Sequence, residues 1–449
     1  MQIFSFTTLA ARDCRHLLVL AIALVAMDAA AATPTREDMI KWLDEYRFAS
    51  EGPDAGTIIG IENIDQLEPF VPLGFFDDLQ FPEVAVEIEA PYHFEAPATY
   101  QEATVKGGGR ASLGADGALE NYTAGLPFSH ARIAAASPGD AGQMVAWNHI
   151  HRWQYYGYKT AGIKINLVRP AAAGERAVLS PGLEGGGTVD RFMTMSYQRA
   201  YLSHIAMLPD QQYRFNLDDA KRLLWKDFFE FVEPFDVKGT KFVVERAFAN
   251  EDDQVNSYLP TQRRVRRLSA KERADSFMGT DFTLDDFAVF SGRVFDFKWT
   301  YLGQKSILFV ANSKHESARF YGPSSRIPND RWQVRPCYVV ELTPVWEDHP
   351  YSSRIMFIDM ENFETTFASV FDRDGNLWKS LYTVVKAPQD MRGRSAEEEK
   401  SVVIWRSSIS IDHKNDRGSV GIGLPTSHPM MTASKIRQTF DVSNLTSGR

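Results

Sequence analysis

The feature that most constrains this chain is a long series of segments in which apolar and polar residues alternate. Phe295, Phe297, Trp299 and Tyr301 share one parity, while Asp296, Lys298 and Thr300 share the other. Ile307, Phe309 and Ala311 carry the apolar parity onward. Tyr338, Val340 and Leu342 repeat the pattern, as do Phe367, Ser369 and Phe371, and then Trp378, Tyr382 and Val384. A period of two is that of a β-strand, whose successive side chains point to opposite faces of a sheet. Segments 160–169, 189–197, 199–207, 227–235, 240–249, 254–259, 263–268, 353–359 and others read the same way. Ten or so such strands curl, with one wet face and one dry face expected. A dry face this rich in rings needs either helices or a hydrophobic guest to cover it.

Helical patterns are fewer. Residues 36–48 place Met39, Ile40, Leu43 and Tyr46 at helical spacing after a Thr-Pro-Thr start. Residues 139–156 read as a helix with Met144, Trp147, His151 and Tyr155 near one stripe, and 217–226 as a short amphipathic one. Residues 57–105 suggest strands and loops wrapping a body. Gly107-Gly108-Gly109 and Gly185-Gly186-Gly187 lack the strand-to-helix context of a phosphate cradle and read as turns. The expected fold is α+β and β-dominated, a strongly curved antiparallel half-barrel covered by helices. Residues 33–449 are expected to form one domain, with 33–135 as an N-terminal wrapping extension.

The first 32 residues read as an address. Arg12 and Arg15 precede the apolar run Leu17–Ala26, which Asp28 and the alanines Ala29 to Ala32 follow. That order is a secretory signal peptide with cleavage near Ala32, and the run is too short to span a bilayer comfortably. Export places the chain in the periplasm and leaves Cys337 as its one thiol, so a disulfide framework is excluded and stability has to come from burial. The 449 residues carry 44% hydrophobic and 24% charged side chains with a mean hydropathy of −0.28, which are globular values. A net charge of −9 argues against a nucleic-acid partner.

The search for reactive chemistry finds little. The chain holds no G-x-S-x-G elbow, H-E-x-x-H or C-x-x-C spacing. His149 and His151, at i and i+2 on a helix, diverge rather than chelate a metal, and are expected as one half-buried and one exposed ring. Cys337 beside Pro336 reads as a buried structural thiol. Asp285-Asp286 reads as a solvated acidic pair in a turn. In the run Arg263-Arg264-Val265-Arg266-Arg267, alternation suggests a strand with one solvated guanidinium face; the functional alternative is a rim for an anionic headgroup or a partner.

Several segments fall in an order that carries a family resemblance. Tyr122-Thr123-Ala124-Gly125-Leu126-Pro127-Phe128 with Ala146-Trp147-Asn148-His149 resembles a paired "GLPF … WN" signature. Tyr258-Leu259-Pro260 with Gln262 to Arg267 resembles "YLPxxRRVRR", and Gly279 to Asp286 a "GxDFxxDD" pattern. Tyr301 to Lys305, Ile358-Asp359 and Asp374 to Trp378 follow in matching order. Over roughly 57–449 the chain is similar to an exported Gram-negative family of unknown function, related to the outer-membrane lipoprotein-sorting (LolA/LolB-like) proteins. It departs from the pattern in the His-Ile-His that follows Trp147-Asn148. The resemblance implies a LolA/LolB-like half-barrel with an apolar cavity for acyl chains. It also implies, as candidate partners, an inner-membrane exporter of the resistance–nodulation–division type or an outer-membrane component.

Together these readings favour a periplasmic carrier or chaperone that binds a lipid, a lipoprotein acyl chain or another hydrophobic ligand, without enzymatic activity or cofactor. Phe295, Phe297, Trp299, Tyr301, Phe309, Tyr338, Val340 and Trp378 are the expected cavity lining, with Arg264 and Arg266 as the rim. The alternative is a non-catalytic structural or adaptor protein of the cell envelope, its core filled by its own helices.

Overall fold

The computed structural model describes residues 33–208, 212–269, 271–387, 402–424 and 426–446. The expected signal peptide lies outside the described residues. Thirteen strands make up the body of one open sheet: β1 Gly157–Arg169, β2 Thr188–Tyr201, β3 Leu223–Glu233, β4 Lys241–Ala247, β5 Gln254–Leu259, β6 Arg264–Leu268, β7 Phe297–Phe309, β8 Arg331–Pro344, β9 Ser353–Asp359, β10 Thr365–Phe371, β11 Leu377–Lys386, β12 Ile404–Asp412 and β13 Arg417–Gly423. They run in the order β7 to β13 and then β1 to β6, antiparallel throughout, so two sequential meanders are joined where β13 pairs with β1. Short strands Ile58–Ile59 and Val86–Ile88 extend the sheet from β8, and Thr426–Ser427 pairs with β1. Among the described residues β6 and β7 do not pair, so the sheet stays unclosed.

Among the described residues five α-helices of more than four residues accompany it: α1 Arg36–Glu45, α2 Ala98–Gly107, α3 His130–Ala135, α4 Pro138–Ile150 and α5 Ala433–Thr439. Each boundary has a local cause. Thr35 and Asp38 form a capping box at α1, and Gly108 closes α2 in the left-handed region at φ 59°. Ser137 caps α4, with Pro138 at the first turn where its missing N–H costs nothing.

The sheet is buried on both faces along β9 to β13, where nearly every residue is inaccessible. One wet face was the expectation there. Instead the N-terminal segment lays Met39, Trp42, Leu67, Phe70, Phe75 and Val86 over the outer face, against Ile355, Phe357, Phe367, Tyr382 and Ile409. On the inner face α4 sets Val145, Ala146 and Trp147 over Trp299, Tyr338, Val340 and Leu381. The wet-and-dry pattern does hold at the far end, where β6 is largely exposed.

Other expectations shift locally. Residues 98–107 are helical rather than extended, and 217–226 become a single turn at Asp218–Lys221 followed by β3. Segment 189–197 and the first residues of 199–207 merge into β2, which ends at Tyr201; residues 202–207 form turns instead of a strand. A bulge between Tyr301 and Gly303 inserts one unpaired residue into β7 and reverses its parity. Trp299 and Tyr301 therefore pair with Leu342 and Val340 on the inner face. Ile307 and Phe309 pair with Arg335 and Gln333, on the opposite parity of β8, rather than continuing the face of Trp299.

The signature residues of the sequence serve as clasps. Asn148 accepts from the Phe128 amide at 3.0 Å and donates to the Phe128 carbonyl at 2.7 Å, while Trp147 Nε1 donates to the Gly117 carbonyl at 2.8 Å. Gly125 sits at φ 87°, and a Cβ there would meet the Thr104 amide nitrogen at 2.4 Å, so only glycine fits.

Candidate functional site

The inner face of β1 to β4 carries side chains in rows that change from apolar to polar along the strands. Ile163 pairs with Met195, and Met195 with Phe231. The next row is Thr160, Tyr197, Phe229 and Phe242; after it come Tyr158, Arg199, Asp227 and Val244; the last holds Tyr201, Trp225 and Arg246. Cross-strand neighbours of this kind stand about 5 Å apart and interact directly. One end of the trough is therefore a greasy floor and the other a network of hydroxyls and ions.

Residues 271–294 fold back over this trough as a closing segment. Phe277, Phe282, Leu284 and Phe287 descend onto Phe229, Phe231, Phe242 and Val255. Buried ion pairs anchor the segment, Arg273 to Asp253 at 3.1 Å and Arg354 on β9 to Asp286, while Arg273 to Asp285 at 2.6 Å ties its two halves together. Asp285 and Asp286 are thus buried and paired, not the solvated turn residues that the sequence suggested, because the closing segment carries them beneath itself. Asp286 also accepts from the Tyr351 hydroxyl at 2.7 Å. Ala288 and Val289 both lie in the left-handed region, at φ 52° and 68°. Strain of that kind persists only where surroundings hold it. Here the Thr365 hydroxyl donates to the Ala288 carbonyl and Arg354 Nη1 to the Val289 carbonyl, each at 2.6 Å.

Between floor and cover lies a cavity of about 210 Å³. A water takes about 30 Å³ in the liquid, so the space corresponds to roughly seven waters. Ile163, Met195, Phe229, Val244, Phe277, Leu284 and Phe287 form its apolar walls, and Val385, Val402, Ile404 and Trp405 close it from β11 and β12. At the polar end Arg199 grips both oxygens of Asp227, at 2.7 and 2.9 Å, and the Tyr197 hydroxyl donates to the same carboxylate at 2.7 Å. The Arg199 guanidinium lies 4.5 Å from the Trp225 ring centroid and also faces Tyr158 and Tyr201. Arg152 pairs with Glu364 at 2.7 Å. Burial pushes the Tyr158 hydroxyl up to about 12 and that of Tyr197 well above the ordinary phenol value, so both stay protonated.

None of the ten residues nominated from sequence lines this cavity. Phe297, Trp299, Tyr338 and Val340 are packed under α4, with Phe295, Tyr301 and Trp378 at the margin of that core. Phe309 joins Phe94, Tyr100 and Val385 in a separate cluster. Arg264 and Arg266 project into solvent from β6, with Arg266 paired to Glu272, and Val265 between them packs half-buried near Tyr258 and Leu445. His149 and His151 are both buried, against the expectation of one exposed ring, because α4 is covered on the side that His151 occupies by Tyr122, His204 and Phe248. Among the described residues no group of three or more His, Cys, Asp or Glu is placed to hold a metal ion.

The sequence did contain a signal for the trough. In 193–201 the residues Met, Met, Tyr, Arg and Tyr recur at every second position, and in 225–231 Trp, Asp, Phe and Phe do the same. An ionisable side chain on an otherwise apolar strand face is costly unless paired, and two adjacent strands with opposite charges on that face mark a built site.

A family model described as "Protein of unknown function (DUF1329)" matches residues 88–438. No curated protein matches the chain. Among solved structures, a DUF1329 protein from Desulfovibrio piger is 16% identical with a TM-score of 0.45, covering 69% of this chain and 100% of its own. A domain assigned to an outer-membrane lipoprotein-sorting protein of Vibrio parahaemolyticus is 15% identical with a TM-score of 0.45, covering 67% and 97% respectively. A LolA-superfamily protein from Nitrosomonas europaea is 13% identical with a TM-score of 0.36, covering 66% and 96%. Among the described residues no helix is long and apolar enough to cross a membrane.

Proposed function

This chain belongs to the DUF1329 family, and on that premise we propose that it is a carrier or chaperone of the bacterial envelope that takes the acyl chain of a lipid or lipoprotein into the trough beneath its closing segment. The observation that carries the reading is the cavity itself: about 210 Å³ between apolar walls, beside a core that is elsewhere closely filled. Protein interiors pack to near-crystal density, and voids of this size are few. Each methylene moved from water into such walls contributes about 0.8 kcal/mol, so ten supply roughly 8 kcal/mol before the costs of ordering. That is ample for reversible carriage.

The reading places the protein in the periplasm, and the order of charged, apolar and small residues before Thr33 supports that. N-terminal sequencing of protein recovered from the periplasmic fraction checks it; a chain that still begins at Met1 overturns the location. An exporter of the inner membrane, or an outer-membrane component, would be the natural supplier or acceptor of such cargo. No catalytic step is proposed.

Binding of N-phenyl-1-naphthylamine, an uncharged apolar fluorophore, tests the carrier function in the wild type and in Val244→Trp, which projects an indole into the cavity. Saturable binding that Val244→Trp abolishes, with the folded state kept, supports the reading; no binding in the wild type, or equal binding in the variant, refutes it. The adaptor alternative draws on the solid packing of α4 over β7 to β11, and it predicts no fluorophore binding at all.

A further inference from the structure

The polar end of the cavity bears on which ligand fits. Six charged side chains reach its wall: Arg152, Arg199, Arg246, Arg273, Asp227 and Glu364. Every guanidinium among them has a carboxylate partner. Arg152 faces Glu364 at 2.7 Å and donates to the His149 carbonyl at 2.7 Å. Arg199 spans Asp227 through Nε and Nη2. Arg246 donates to Asp253 at 2.7 Å and to the carbonyls of Ser291 and Gly292 at 2.8 Å each. Arg273 contacts Asp253 at 3.1 Å and Asp285 at 2.6 Å. The four positive groups are thus matched by four carboxylates, Asp227, Glu364, Asp253 and Asp285, two of them in the wall itself.

An anion entering this end would lose its water, find each guanidinium already paired with a carboxylate, and lie beside Asp227 and Glu364. With four cations cancelled by four carboxylates, this end offers an anion no net charge to offset the hydration it loses. An uncharged head meets no such penalty. The Tyr158 hydroxyl, held to Tyr197 by a contact of only 3.5 Å, retains capacity to bond a ligand oxygen. Taking the carrier reading as its basis, we infer that the cavity selects amphiphiles with an uncharged polar end — a hydroxyl, ester or amide — and discriminates against free carboxylates and phosphates of the same chain length.

Displacement of bound N-phenyl-1-naphthylamine by monolaurin, laurate and dodecyl phosphate, below their micellar concentrations at pH 8, tests this on the intact protein. Monolaurin competing at least tenfold more tightly than both anions is the expected result. Either anion competing within tenfold of monolaurin, or better, overturns the inference and leaves the carrier reading standing. Fluorophore that does not bind, or that none of the three displaces, overturns both. Removing the counter-charge supplies a second arm. Glu364→Gln frees Arg152, and Asp227→Asn frees Arg199, so each should gain at least tenfold in laurate affinity with monolaurin changed less than threefold. A folded variant of either kind with no gain for laurate counts against the charge balance as the cause.

Discussion

Gly142 lies on the face of α4 that meets β7, and a Cβ built there would fall 2.8 Å from the Trp299 carbonyl carbon, 2.9 Å from the Thr300 nitrogen and 3.0 Å from the Trp299 oxygen. All three are backbone atoms, so no side-chain rotation relieves the clash. Helix or strand must move by roughly half an ångström to restore van der Waals distance, which loosens the packing of Val145, Ala146 and Trp147 on Trp299 and Val340. Overpacking of this kind costs about 1–3 kcal/mol. Alanine also favours the helix over glycine by about 1 kcal/mol, an opposing term. Gly142→Ala should therefore show a net loss of up to about 2 kcal/mol, and stand about 1–3 kcal/mol below a helix glycine whose Cβ is unobstructed, read from urea unfolding followed by tryptophan fluorescence. Gly139→Ala in the same helix is the control: nothing lies within 4 Å of its Cβ, so it should be neutral or slightly stabilised. Were Gly142→Ala to match Gly139→Ala, α4 would ride loosely on β7 and could act as a movable lid. The assignment of the ring-rich face to a solid core would then fail.

Asp286→Asn removes the carboxylate that Arg354 and Lys379 share beneath the closing segment, so a loss of about 3–5 kcal/mol in urea unfolding is expected; a loss under 1 kcal/mol would show that the pair does not anchor the segment. Burial holds His149 down to about 3 and His349 and His413 down to about 4, so the unfolded chain binds more protons than the folded one between those values and the usual 6.5, and their contribution to stability is lost as pH falls through that window. Asp78 and Asp296, pushed up to about 7 and about 6 by burial, act in the opposite sense, with stability lost as pH rises through those values. His413→Gln isolates one term: its stability loss between pH 6.5 and 4.5 should be about 2–3 kcal/mol smaller than that of the wild type, and an unchanged loss would refute the assignment. Cys337 has no exposed surface and burial raises its thiol far from ionisation, so a thiol reagent should label it only in denaturant; labelling of the native protein at the rate of a free thiol would contradict its burial.

The period-two pattern determined the β-dominated class and the antiparallel meanders, because those depend on contacts between neighbours in sequence. Helices α1 and α4 were equally legible from spacing and caps. The site was not. Phe297 and Trp299 alternate just as Met195 and Tyr197 do, and an alternating strand states which residues share a face, not what covers that face. The cover is decided by elements distant in the chain: α4 over β7 and β8, the N-terminal segment over the outer face, and residues 271–294 over the trough. One inserted residue at the bulge near Gly303 was enough to send Phe309 to the other side. Charge pairing followed the same rule, since Arg199 with Asp227, and Arg354 with Asp286, are close only after the strands have aligned. Sequence alone determined the sheet and its greasy surfaces; tertiary packing decided which part of that surface is filled by the protein and which part faces a cavity.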